Sequence, residues 1–292
     1  MTKLVSLSTV AAVMLVSGSA TTVTPGLTRV WVSGHGTDVG TCGAPTTPCR
    51  TLQYAHDNIV VASGEIDILD PAGYGPVVIS KALSIVNDGV GTAGVQQANA
   101  SLAAITINAG ASDAIYLRGL NIDGLGTGEY GILFVSGASL AATNCVVRHF
   151  GGHGIVVGPS SGATRFSISN TTVSDNVGVG ILVASDSGTS VIGTITAVEA
   201  SHNGNGIVEE VSAGAGQGTS FVLVGDANVS NNFYGITVAA GANLALTHSI
   251  VAGNSYGVYF SSGGMVSSYG DNRILGNNTE VYGGTLTTVT GN

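Results

Sequence analysis

The chain has 292 residues, 44% of them hydrophobic and only 9% charged, so it holds ample apolar material for one large domain. Its formal net charge of −9, with only 8 Lys plus Arg, argues against nucleic acid or an anionic membrane as partner and predicts repulsion of strongly acidic polymers. Gly is abundant at 45 residues against 6 Pro and aromatics are sparse at 5%, which suits glycine corners around a narrow interior of Val, Ile, Leu and Ala.

The N-terminus reads as an export address. Lys3 supplies a positive start, Leu4 to Val16 a short apolar run, and Gly18-Ser19-Ala20 a small-residue cleavage site. Residues 1–20 are therefore assigned to a signal peptide, with the mature chain starting near Thr21 and Lys81 as its only lysine. The apolar run is too short to cross a bilayer, and no other stretch reaches the roughly 18 apolar residues a span needs.

Export places the thiols in an oxidising compartment, where Cys42 and Cys49 can close the loop between them as a disulfide. No Cys-x-x-Cys pair exists, so zinc is not supported. Leu52, Ala55 and Ile59 recur at helical spacing within Arg50–Ile59, with Thr47-Pro48 as cap and first turn. This helix is placed to plug the open end of whatever follows, with His56 and Asp57 on its solvated face. Residues 21–75 form an N-terminal cap on this reading, and 76–292 the main body.

The main body is a repeat. One phrase returns as Tyr130-Gly131-Ile132, His153-Gly154-Ile155, Val179-Gly180-Ile181, Asn205-Gly206-Ile207, Tyr234-Gly235-Ile236 and Tyr256-Gly257-Val258, its glycines 23, 26, 26, 29 and 22 residues apart. Before each glycine lies a seven-residue segment whose fourth column is Val147, Val173, Ala200, Val229, Val251 and Ile274, expected to point inward. The seventh column is Phe150 and then Asn176, Asn203, Asn232, Asn254 and Asn277, expected to stack at a left-handed corner with amide-to-amide hydrogen bonds. Cys145 shares an inward column with Thr171, Val198 and Ala227 and reads as a buried free thiol. Short strands on such a period bury their apolar faces only by stacking, which predicts an all-β solenoid of long parallel sheets. About nine coils at the spacing of paired strands give a rod roughly 43 Å long.

The stretch Val32-Ser33-Gly34 to Asp38, Cys42, Pro48-Cys49-Arg50-Thr51 and Asp70-Pro71 to Tyr74 resembles the opening of secreted bacterial right-handed parallel β-helix proteins. Arg118-Gly119-Leu120 to Gly124 and the Gly-Ile coils continue the likeness over roughly residues 29 to 280. The group lies in the pectate-lyase-like superfamily, so the resemblance implies a single-stranded right-handed parallel β-helix. The superfamily holds lyases, hydrolases, tailspikes and adhesins, and fold alone does not choose among them.

Catalytic motifs are mostly missing. Gly152-His153-Gly154 is similar to the Gly-His-Gly of polygalacturonases, but their Asn-Thr-Asp, Asp-Asp and Arg-Ile-Lys motifs do not occur. Hydrolysis of glycosides needs two placed carboxyls. Calcium-assisted lyase chemistry needs several carboxylates about one ion, and the trio Arg118, Asp123 and Glu129 supplies too few, so no cofactor or metal is expected and calcium has no motif behind it. The repeat alignment puts His149, Asp175 and His202 in one column on successive coils, with Arg148, Ser174 and Ser201 beside them. A carboxylate between imidazoles can orient or charge them for acid–base work, or form a polar corner ladder that Asn231 continues. Glu209 and Glu210 stand where other coils carry Val157, Val183, Val238 and Phe260, either as a bulge in water or as a carboxylate pair at a groove.

These residues point to a secreted, non-catalytic rod that binds an extracellular polysaccharide or a cell surface. A polysaccharide lyase or glycoside hydrolase is the alternative, marked by acids and a basic partner gathered on one face.

Overall fold

The structure, a computed structural model, describes residues 26–212, 218–239 and 241–289. The expected signal peptide and cleavage site lie outside the described residues. Three parallel sheets run side by side, sheet I with eleven strands and sheets II and III with nine each. One coil runs through Val146–Arg148 on sheet II, His153–Val157 on sheet III and Gly162–Ser169 on sheet I, then returns to sheet II at Thr172–Ser174. The expected solenoid is therefore present.

Register carries the repeat columns into the core. Val147, Val173, Ala200, Val229 and Val251 pair in sequence along sheet II and are all 0% exposed, while Ile274, on the last strand of that sheet, is only half-buried. On sheet III the row Ile105, Ile132, Ile155, Ile181, Ile207, Ile236 and Val258 is likewise fully buried. Each such side chain contributes roughly 1.5–3 kcal/mol of burial, and only stacking on both neighbours removes it from water. Cys145 lies buried beside Thr171, whose Oγ1 accepts the Cys145 N–H.

The corner between sheets II and III explains why Gly and Asn recur together. Each asparagine Nδ2 donates to the next Oδ1, at 2.9 Å from Asn176 to Asn203 and 3.2, 3.1 and 2.9 Å on to Asn277. The same oxygens also accept backbone N–H groups, and Asn176 Oδ1, which starts the line, accepts the Phe150 N–H at 3.0 Å. A Cβ on Gly206 would lie 2.6 Å from the Gly235 carbonyl oxygen and 2.9 Å from the Asn232 amide nitrogen, so the ladder leaves room for glycine alone.

The left-handed residues are not the asparagines, contrary to expectation. They are one position earlier, where His149, Asp175, His202 and Asn231 have φ of 58°, 57°, 56° and 58°, followed by Gly253 and Gly276. The turn is made just before the ladder, and each Asn then faces inward to bond along the axis.

The N-terminal cap closes one end. Cys42 and Cys49 form a buried disulfide with their Cα atoms 4.9 Å apart. The helix is a short α turn, Leu52–Tyr54, continuing as a π turn, Ala55–Ile59, with Leu52, Ala55 and Ile59 buried. Its cap is Thr51, whose Oγ1 accepts the Tyr54 N–H, rather than Thr47-Pro48. His56 is buried at 3% exposure instead of solvated, because the wider π turn rotates it inward. Its Nε2 accepts the Ser80 N–H and its Nδ1 meets Asp57 at 2.6 Å. Asp70 ties the cap to the first coil by accepting from Ser33 Oγ, the Gly34 N–H and the Tyr74 hydroxyl. Burial alone would raise its pKa, but these bonds outweigh that and hold it far below the usual carboxylate range.

Candidate functional site

The polar line at the end of sheet II owes its residue types to the backbone. Position after position needs positive φ there, and His, Asp and Asn are among the side chains that tolerate it best. The ion pairs run one coil away from the expected ones. His149 Nδ1 lies 3.3 Å from Asp123 Oδ1, and Arg148 Nε donates to Asp123 Oδ2 at 3.2 Å. Asp175 and His202 stack on the following coils, with Ser174 and Ser201 paired beside them. Burial pulls the Asp123 pKa up, but the Leu125 N–H, His149 and Arg148 more than reverse it, so this carboxylate stays ionised. A carboxylate held below its normal range is a weak proton acceptor near neutrality. Arg118 pairs with Asp88 at 2.9 Å, away from Asp123.

The other expected positions separate. His153 Nδ1 accepts the Val179 N–H at 2.9 Å, so the ring is a neutral corner bond with its proton on Nε2. Burial lowers its pKa, with Glu129 and Glu210 partly offsetting. Glu209 and Glu210 form neither a bulge in water nor a pair. They continue the regular strand Asn205–Val211, so Glu209 points into the core at 0% exposure and Glu210 points out. Glu209 Oε1 accepts from Ser220 Oγ at 2.6 Å, Oε2 has no partner, and burial pushes the pKa up to about 7 against the smaller opposing pull of that hydrogen bond. Among the described residues no three His, Cys, Asp or Glu side chains gather to hold a metal ion.

A different surface stands out on the exterior of sheet III. Tyr234 stacks on Tyr256 with ring centroids 5.2 Å apart, Tyr259 stacks on Tyr282 at 5.7 Å, and Tyr234 meets Tyr259 at 4.7 Å. Phe233 packs edge-on against Tyr234 at 4.7 Å and stays 54% exposed, as Tyr282 does at 53%. Four coils earlier in the same outward row, Tyr130 stacks on His153 at 5.7 Å. Stacked rings show water mainly their edges and hydroxyls, while Phe233, set across the ladder, adds an exposed ring. Register produces this ladder: Tyr234 pairs with Tyr256, and Tyr259 with Tyr282. The repeat alignment contains the signal, in the tyrosines that open two successive Gly-Ile phrases, although those columns form neither the corner nor a row of acid–base groups.

Comparison with known proteins agrees with the fold. The family described as right-handed β-helix region matches residues 72–196 and 103–279, and the chain belongs to that family. Among solved structures it is similar to a rhamnogalacturonan lyase, at 13% identity over 78% of this chain and 75% of that one, TM-score 0.43. It is also similar to the A-module of Azotobacter vinelandii mannuronan C-5 epimerase AlgE6, at 15% identity over 89% and 87% of the two chains, TM-score 0.36. No curated protein matches it in sequence.

Proposed function

We propose that this protein is a secreted, non-catalytic β-helix module that binds an extended extracellular glycan along the exterior of sheet III. The observation that carries the reading is the ladder Phe233, Tyr234, Tyr256, Tyr259 and Tyr282 on the outside of the rod. Aromatic rings give a large rigid contact area at low entropic cost, and tyrosine adds a hydroxyl that can bond to sugar hydroxyls. An exposed aromatic patch of this kind marks an interaction surface. A parallel sheet offers it as a shallow straight track rather than a pocket, which suits a polymer. The Cys42–Cys49 bond and the signal-like residues 1–20 support export, with mature residues from about Thr21 forming the cap before the rod.

The acid–base chemistry of a lyase or hydrolase finds little support in the residues at hand. Asp123 is held ionised by its partners, His153 is bonded into a corner, and Glu209 is sealed in the core. A panel of polysaccharides tested for retention of the purified protein and for released product decides between the readings. Retention without product supports the binding module, and Tyr256→Ala weakens that retention. Turnover of any polymer overturns the proposal in favour of the enzymatic alternative.

A further inference from the structure

We infer that the glycan taken by sheet III carries protonated amines, an inference that rests on the binding reading above and specifies its ligand. The nine strands of this sheet, from Val77–Ile79 to Thr279–Tyr282, contain no lysine or arginine. Every charge they turn to water is a carboxylate. Glu210 and Glu280 are exposed on them, and Glu129 adjoins Tyr130 at the opposite end of the aromatic row. The imidazole of His153, the only potential cation on these strands, is kept neutral by burial and by its bond to Val179.

Two further features point to the same charge. Aromatic faces attract cations through their negative π surfaces, and Phe233, set across the stacked tyrosines, leaves a ring exposed to offer one. The whole chain bears −9, so its long-range field draws positive polymers in and holds uronates off. The outward row from Tyr130 through His153, Val179, Asn205 and Tyr234 to Tyr256 makes five coil steps, roughly 24 Å at the strand spacing. Aromatic contacts lie at both ends of that track and carboxylates along it. Glu280 also accepts a hydrogen bond from Asn277 Nδ2 at the end of the asparagine ladder, but a neutral glycan would leave the exclusion of basic residues and the outward placement of Glu210 without a role.

The test is a titration of the full chain with three soluble oligosaccharides of equal length, at about pH 6, where free amines are protonated. The three are a β-linked glucosamine oligomer, its fully N-acetylated counterpart and an oligouronate. The expected result is binding of the glucosamine oligomer at least tenfold tighter than the N-acetylated one, weakened by added salt. The exposed pair Glu210→Gln and Glu280→Gln, with folding checked by circular dichroism, should cut that preference several-fold. Equal or tighter binding of the N-acetylated oligomer or the uronate overturns the amine inference and leaves the glycan-binding reading standing. Binding of none of the three overturns both.

Discussion

Replacing Glu209 by Gln removes one titrating group from the solenoid core and should flatten part of the protein's pH-stability curve. The carboxyl is 0% exposed, between Val183 and Val238 in an inward row, with Ser220 Oγ donating to Oε1 and Oε2 unpartnered. Its pKa is pushed up to about 7 from an ordinary 4.5. The folded state thus holds the proton more tightly than the unfolded chain. The stability this group contributes is full below about pH 4.5 and is lost as pH rises through about 7. A shift of that size corresponds to about 3 kcal/mol between the two limits, as an order of magnitude. Denaturant unfolding of wild type and Glu209→Gln at matched pH values isolates the group, since all other titrations cancel in the difference. Wild type should lose about 3 kcal/mol relative to the variant between about pH 4 and pH 8. Glu209→Val, which restores the residue of neighbouring coils, should be the more stable protein at pH 8. A flat difference curve, or one in which wild type gains with pH, would refute the assignment of Glu209 to the core.

Further outcomes follow from the corner and the cap. Asn232→Ala strips partners from the Asn203 N–H and the Ala200 carbonyl inside the rod and should cost about 3 kcal/mol or more, whereas Asn277→Ala strips the Asn254 N–H and the Val251 carbonyl at the half-exposed end of the ladder, where water can replace part of the loss, and should cost less; chemical unfolding compares them. Gly206→Ala drives a Cβ to 2.6 Å from the Gly235 carbonyl and from Val229 Cγ1, so it should lower the melting temperature by several degrees even though alanine is the better former of ordinary structure. Reducing the Cys42–Cys49 bond, or replacing both cysteines by Ser, frees a loop of seven-residue separation and should destabilise the cap by about 2–3 kcal/mol, read by hydrogen exchange of the strand Leu27–Val32.

Most of the rod was legible because a solenoid writes its geometry into the chain as columns. Six valine-like positions and five asparagines at matching offsets have no other economical explanation, and their burial and bonding follow that alignment except at Ile274, which the last strand leaves half-buried. What failed were assignments made by residue preference rather than by position. Asn tolerates positive φ, so the corner was placed on the asparagines, while the turn falls on His149, Asp175, His202 and Asn231 one residue earlier. A helix of ordinary pitch puts His56 outside, and a π turn turns it in. Two adjacent glutamates look like a unit, yet in a strand they must face opposite ways, and the alignment itself put Glu209 in the row of Val183 and Val238. The aromatic ladder went unread for a related reason. Its rings come from separate coils and become neighbours only through register, and tyrosine carries none of the acid–base signals by which sites are usually sought.

The central claim is that this ladder holds a glycan without transforming it. Its most direct test is a binding isotherm for the polysaccharide that retains the wild-type protein, repeated with the Tyr234→Ala, Tyr256→Ala double variant, with the polymer's chain length followed in the same samples. These rings are partly exposed on the outside of a sheet whose inward rows are untouched, so the variant should stay folded. The account predicts that affinity falls at least tenfold and that chain length is unchanged in every sample. Undiminished binding by the folded double variant, or shortening of the polymer by wild type, would contradict it.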